Sequence, residues 1–132
     1  MADNHLNLRV GQYALIRNNQ GKILALRRSK SGLWSLPGGR LNSDERDWFG
    51  ALKREVTEET GLEITSAKPI SVEIVDDPYQ VKYCVYFAVI CSDTNNINLT
   101  DEHSEYRFAD PGEVEFEYPH IEETIKEYLN YK

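Results

Sequence analysis

The order of patterns along the sequence, strand-rich, helical, strand-rich, helical, predicts an α+β domain whose mixed sheet lies between helices. Three observations carry this. Apolar and polar residues alternate at the N-terminal end. Residues 47–60 are helix-favouring types, closed by Gly61 where a left-handed cap belongs. Residues 81–92 are apolar on both faces, as in a central strand covered on both sides.

Leu6, Leu8, Val10, Tyr13 and Leu15 mark the first strand, reaching about Arg17. Asn18, Asn19, Gln20 and Gly21 make a turn, and Ile23, Leu24, Ala25 and Leu26 return as a second strand, so a hairpin is expected. Arg27, Arg28 and Lys30 form a basic run, which fits either a charged strand edge or a counter-charge for phosphates. Pro37 fixes one φ, and Gly38 and Gly39 let backbone approach a ligand closely; Trp34 before them is expected in the core.

Within the helical stretch Phe49, Leu52 and Val56 share one apolar stripe, and Glu55, Glu58 and Glu59 share the face beside it. Like charges at these spacings disfavour a bare helix by a few tenths of a kcal/mol per pair. Partial burial raises that cost, and a divalent cation removes it. Converging carboxylates are ligands that Mg²⁺ or Mn²⁺ prefers, alongside substrate phosphates. The alternative for such a cluster is a solvated acidic face.

Downstream, Ile70, Val72 and Ile74 alternate in another strand, broken by Asp76, Asp77 and Pro78. In the central strand, Val81, Tyr83, Val85, Phe87 and Val89 take one face and Cys84, Tyr86, Ala88 and Ile90 the other. Cys84 and Cys91 fall on opposite faces, excluding a disulfide within one strand and leaving two buried thiols. A polar loop covers residues 93–98, an acidic loop 100–104, and a short strand 105–108. Asp110, Pro111 and Glu113 have the form of a capped helix start. Ile121, Ile125, Tyr128 and Leu129 stripe a last helix.

The 132 residues are expected to form one domain, 1–132, with a substantial core. A net charge of −7 argues against binding a nucleic-acid polymer through a basic surface. No apolar run is long enough to span a bilayer, and residues 1–5 lack the basic start of a signal peptide, so no membrane association and a cytoplasmic location are expected. The histidines His5, His103 and His120 are expected to be unremarkable, with His103 solvated.

The segment Gly39–x5–Glu45, followed by Arg54-Glu55-Val56-Thr57-Glu58-Glu59-Thr60-Gly61-Leu62, resembles the Nudix box, and Trp34-x-x-Pro37-Gly38-Gly39 matches the run leading into it. Eight residues rather than seven separate Glu45 from Arg54, the extra one lying near the helix start, where a longer loop absorbs it. The resemblance implies the Nudix-type α/β/α sandwich and a Mg²⁺-dependent pyrophosphohydrolase, with Mn²⁺ as substitute, acting on a small-molecule nucleotide. It implies Glu55 and Glu59 as principal metal ligands, Glu58 completing the cluster, and the Gly38 carbonyl contributing from the loop. Arg54 orients carboxylates, and Glu45 pairs with Arg54. The general base is either Glu55 or a loop acid, for which Glu102 leads and Glu105 follows. Arg28, Gly39 and Tyr79 are candidate substrate contacts. Pro78 stands near where ADP-ribose and sugar-nucleotide members carry a proline, while Tyr79 has a spacing seen in dinucleoside polyphosphate hydrolases. A homodimer is compatible with the family. A non-catalytic nucleotide-sensing module on the same fold is the alternative, disfavoured because all three glutamates remain.

Overall fold

A computed structural model describes residues 4–130. Residues 1–3, on which part of the N-terminal reading rests, lie outside it. The elements are β1 (Arg9–Leu15), β2 (Ile23–Arg28), β3 (Trp34–Ser35), β4 (Gly38–Arg40), α1 (Trp48–Thr60), β5 (Ile64–Asp77), β6 (Gln80–Cys91), β7 (His103–Ala109) and α2 (Pro119–Asn130). One sheet has the order β4-β1-β6-β5 and a second the order β3-β2-β7. The first is mixed, because β1 runs parallel to β6 while β4 and β5 pair antiparallel. With one helix against each face of the mixed sheet, this is the α+β sandwich that the sequence predicts.

Period-two alternation on the larger sheet decides which helix covers which face. Ala14, Ile16, Phe87 and Val89 share a core with Leu52 and Val56 of α1. Tyr13, Leu15, Cys84 and Tyr86 share another with Ile121 and Ile125 of α2. The helix α1 begins where Asp47 accepts a hydrogen bond from the Gly50 N–H, and it ends at Gly61, whose φ is 78°.

Several expectations are corrected. The Asn18–Gly21 turn forms, but β1 and β2 do not make a hairpin within one sheet. Beyond the Ile16–Leu24 hydrogen bond and the Arg17–Ile23 bridge they diverge, each buried strand pairing in a different sheet. The capped start at Asp110 is a turn. Glu113 bonds back to the Asp110 N–H, yet Gly112 at φ 91° leaves the helical region. Coverage of β6 is complete only at its middle, and Ile90 stands 65% exposed. Cys84 is buried, but Cys91, near the strand's end, is only partly so. On β5 the alternation holds with the apolar set outward: Ile70, Val72 and Ile74 face solvent. Trp34 is half-buried in β3.

Candidate active site

Antiparallel pairing of Gly38 with Tyr13 and Gly39 with Gln12 lays the double-glycine bend along β1, with α1 above it. At Gly38 no side chain fits, because backbone is in the way. A Cβ on Gly38 would collide with the Gln12 carbonyl, and one on Gly39 would lie 2.6 Å from Oε2 of Glu55. The Gly38 N–H donates to Oε1 of Glu59 at 2.8 Å.

A cleft of about 370 Å³ opens beside this bend, lined by Glu55 and Glu59 of α1 and by Glu102 from the turn before β7. Arg28, Gly38, Gly39 and Arg40 also line it. Burial, together with the charges of Glu55 and Glu102, pushes Glu59 up to about 8 against the Gly38 hydrogen bond. Burial also raises Glu55, followed by Arg54 pulling it down and Glu58 pushing it up.

One ligand atom from each of Glu59, Glu102 and His103 lies within 4.8 Å of the others. His103 is buried rather than solvated, and its Nδ1 has no hydrogen-bond partner among the described residues. Desolvation, then the nearby Arg28, depress its pKa. Hard carboxylate oxygens from α1 and from the turn before β7, crowded with an orphaned ring nitrogen where burial resists ionisation of Glu59, fit a divalent cation.

Arg54 joins the acidic cluster from outside. Its guanidinium reaches Glu45 at 3.0 Å, Glu55 at 3.3 Å and Glu58 at 3.4 Å. The extra residue before the helix is thus absorbed in the loop: Glu45 is held in a turn by the Asn42 N–H and still meets Arg54. Glu58 does not line the cleft; it is 60% exposed and pairs with Arg54. Glu105 also stays outside, pairing with Arg27.

Of the expected substrate contacts, Gly39 and Arg28 line the cleft, but Arg28 is already engaged. Its Nε and one terminal nitrogen each donate to Glu117 at 2.9 Å. Tyr79 is 96% exposed at the β5–β6 turn and does not line the cleft, whereas its neighbour Gln80 does. Tyr13, Arg40, Gln80, Lys82 and Glu117 line it without having been singled out. Arg40 could have been found by adjacency to the glycine pair. The others follow only from strand register and from the loop before α2, where Glu117 is anchored by its N–H to the Trp34 carbonyl.

Comparison with known proteins places this geometry. The NUDIX domain family model matches residues 7–129. A MutT-like protein of Streptomyces ambofaciens is 44% identical over 50 residues, 38% of this chain and 32% of that protein. A Bacillus subtilis (strain 168) protein named as a candidate 8-oxo-dGTP diphosphatase is 36% identical over 62 residues, 47% of this chain and 41% of that protein. The matches therefore span less than half the length of these curated relatives. Among solved structures, the MutT protein of Methanosarcina mazei Go1 superposes with a TM-score of 0.83 at 26% identity, covering 98% of this chain and 100% of that one. With the family model spanning nearly all of the sequence and a glycine bend, glutamate helix and cleft to match, the chain belongs to the Nudix family.

Proposed function

We propose that the protein is a Mg²⁺-dependent pyrophosphohydrolase, with Mn²⁺ as substitute, that cleaves a phosphoanhydride bond in a nucleoside diphosphate linked to another moiety. The convergence of Glu55, Glu59 and Glu102 in one cleft beside Gly38 and Gly39 carries this reading. The MutT-like relatives and the candidate 8-oxo-dGTP diphosphatase favour a nucleoside triphosphate over ADP-ribose, a sugar nucleotide or a dinucleoside polyphosphate.

Glu55, Glu59 and the Gly38 carbonyl would hold the cation, while Glu58 stays outside the cleft against Arg54. When bound, Mg²⁺ neutralises phosphate charge and makes water easier to deprotonate. Arg54 orients Glu55 and Glu58 by hydrogen bonding. Glu102, on the opposite wall from α1 and outside the Arg54 network, is the group we assign to receive the proton of the attacking water, with Glu55 as the alternative base. Backbone at Gly39 gives the phosphates close access, and the third nitrogen of Arg28 can face them.

The test is turnover of a panel of nucleoside triphosphates, ADP-ribose, sugar nucleotides and dinucleoside polyphosphates with Mg²⁺, comparing wild type with Glu59→Gln. The variant is expected to lose at least about 100-fold in kcat, the scale of one preorganised electrostatic group. Equal turnover by both proteins would remove the proposed role of the cluster. Nucleotide-induced thermal stabilisation without any product would instead favour a sensing module.

A further inference from the structure

We propose that Lys82 is a substrate-binding residue that fixes a second phosphate of the substrate, away from the glutamate cluster, and that Tyr118 holds it in position. The inference rests on the hydrolase reading above and extends it to a specificity determinant.

The cleft contains three cationic side chains: Arg28, Arg40 and Lys82. They differ in what already occupies them. Arg28 gives two of its nitrogens to both oxygens of Glu117, so its charge is largely spent within the protein. Arg40 is exposed, and a mobile exposed cation contributes little positional selectivity. Lys82 meets no carboxylate within ion-pair distance among the described residues. It is half-buried, its ammonium donating to the Tyr118 hydroxyl at 3.0 Å and lying 5.6 Å from the centroid of that ring. Tyr118 in turn stacks on His120, with ring centroids 5.8 Å apart and planes 7° apart. A lysine stem ordinarily carries much rotamer freedom. Here a neutral acceptor, the hydroxyl end of a stacked tyrosine, holds it without cancelling its charge, so it keeps two donor hydrogens for an anion.

Sheet register places this ammonium apart from the metal-type ligands. Lys82 is on β6, two strands from the glycine bend of β4 in the order β4-β1-β6, and pairs with Arg9 where the bend pairs with Tyr13 and Gln12, so its backbone lies more than about 10 Å from the bend at the usual strand spacing. It projects on the face that carries Cys84 and Tyr86, where Tyr13 and Gln80 also border the cleft. A group bound there is therefore a different part of the substrate from the phosphate held between Glu55, Glu59 and Glu102. The chemistry that fits is a chain of at least two linked phosphates with one end at the glutamates and another at Lys82. Substrates with a longer phosphate chain gain most from it.

Steady-state kinetics of Lys82→Gln, Lys82→Arg and Tyr118→Phe, on a nucleoside triphosphate and the matching diphosphate, test this. Loss of one charge-assisted hydrogen bond should raise KM about 10- to 100-fold in Lys82→Gln with kcat changed by only a few-fold. The penalty should be larger for the triphosphate, and Lys82→Arg should recover most of it. Tyr118→Phe keeps the ring and removes the acceptor, so a smaller KM increase is expected. Melting temperatures should stay near wild type, since Lys82 forms no ion pair in the fold. An unchanged KM, or a fall in kcat alone, in an active and folded Lys82→Gln protein overturns the proposal while leaving the hydrolase reading standing. A wild-type protein inactive on the whole panel defeats the hydrolase reading instead.

Discussion

At Arg54 one guanidinium touches three carboxylates, yet its side chain is 39% exposed. Ion pairs at that exposure are worth only about 0–1 kcal/mol each after screening. The role proposed for it is therefore orientation of Glu55 and Glu58 rather than stability. Arg54→Ala should lower metal affinity about 10- to 100-fold while moving the melting temperature little. Isothermal titration with Mn²⁺ beside a thermal melt checks both halves; a large stability loss with intact affinity would contradict the assignment. The pairing with Glu58 was legible because residues four apart share a helix face, and Glu55 adjoins the arginine in sequence. Its pairing with Glu45 was legible only through the family pattern, since the intervening loop has an irregular length.

The strand β4 is only three residues long, Gly38–Arg40, but it pairs with β1 and contacts α1. Gly38 sits at φ 148° against the Gln12 backbone, so a methyl group meets both an unfavourable conformation and an occupied space. Gly38→Ala should cost about 2–4 kcal/mol, at the upper end for single substitutions, because backbone rather than a movable side chain is in the way. Chemical denaturation reads this directly, and a loss under about 0.5 kcal/mol would mean β4 can shift freely. The helix beside it was readable in advance together with its Gly61 terminus, whereas Asp47, read as its first residue, is its N-cap. The Asp110 turn was not: its capping residues are those of a helix, and a single glycine in the left-handed region ends it.

For the whole molecule, Glu59 makes stability depend on pH. Its folded value of about 8 exceeds its ordinary 4.5, so between those values the folded protein keeps a proton that the unfolded chain has released. Stability without metal should therefore be greatest below about pH 4.5 as far as this group is concerned, fall as pH rises toward 8, and level off above. Melting curves from pH 5 to 9 in a chelator should show this slope, and Glu59→Gln should flatten it. An identical slope in the variant would place the titration elsewhere. A divalent cation held by Glu59, as proposed, would displace that proton, so Mg²⁺ binding should strengthen across the same window.

The linear sequence determined the things that depend on short spacings: the helix, its glycine terminus, the glutamate face, the glycine bend and the strand alternation. These are local because backbone geometry repeats every few residues. Only the tertiary structure decided which strands pair, and hence that β1 and β2 part into two sheets. It alone brought Glu102 opposite Glu59, turned Glu58 and Tyr79 away from the cleft, tied Arg28 to Glu117, and set Lys82 on its rim. Those outcomes rest on contacts between residues tens of positions apart, selected by burial and register across the whole core, which no short window of sequence contains.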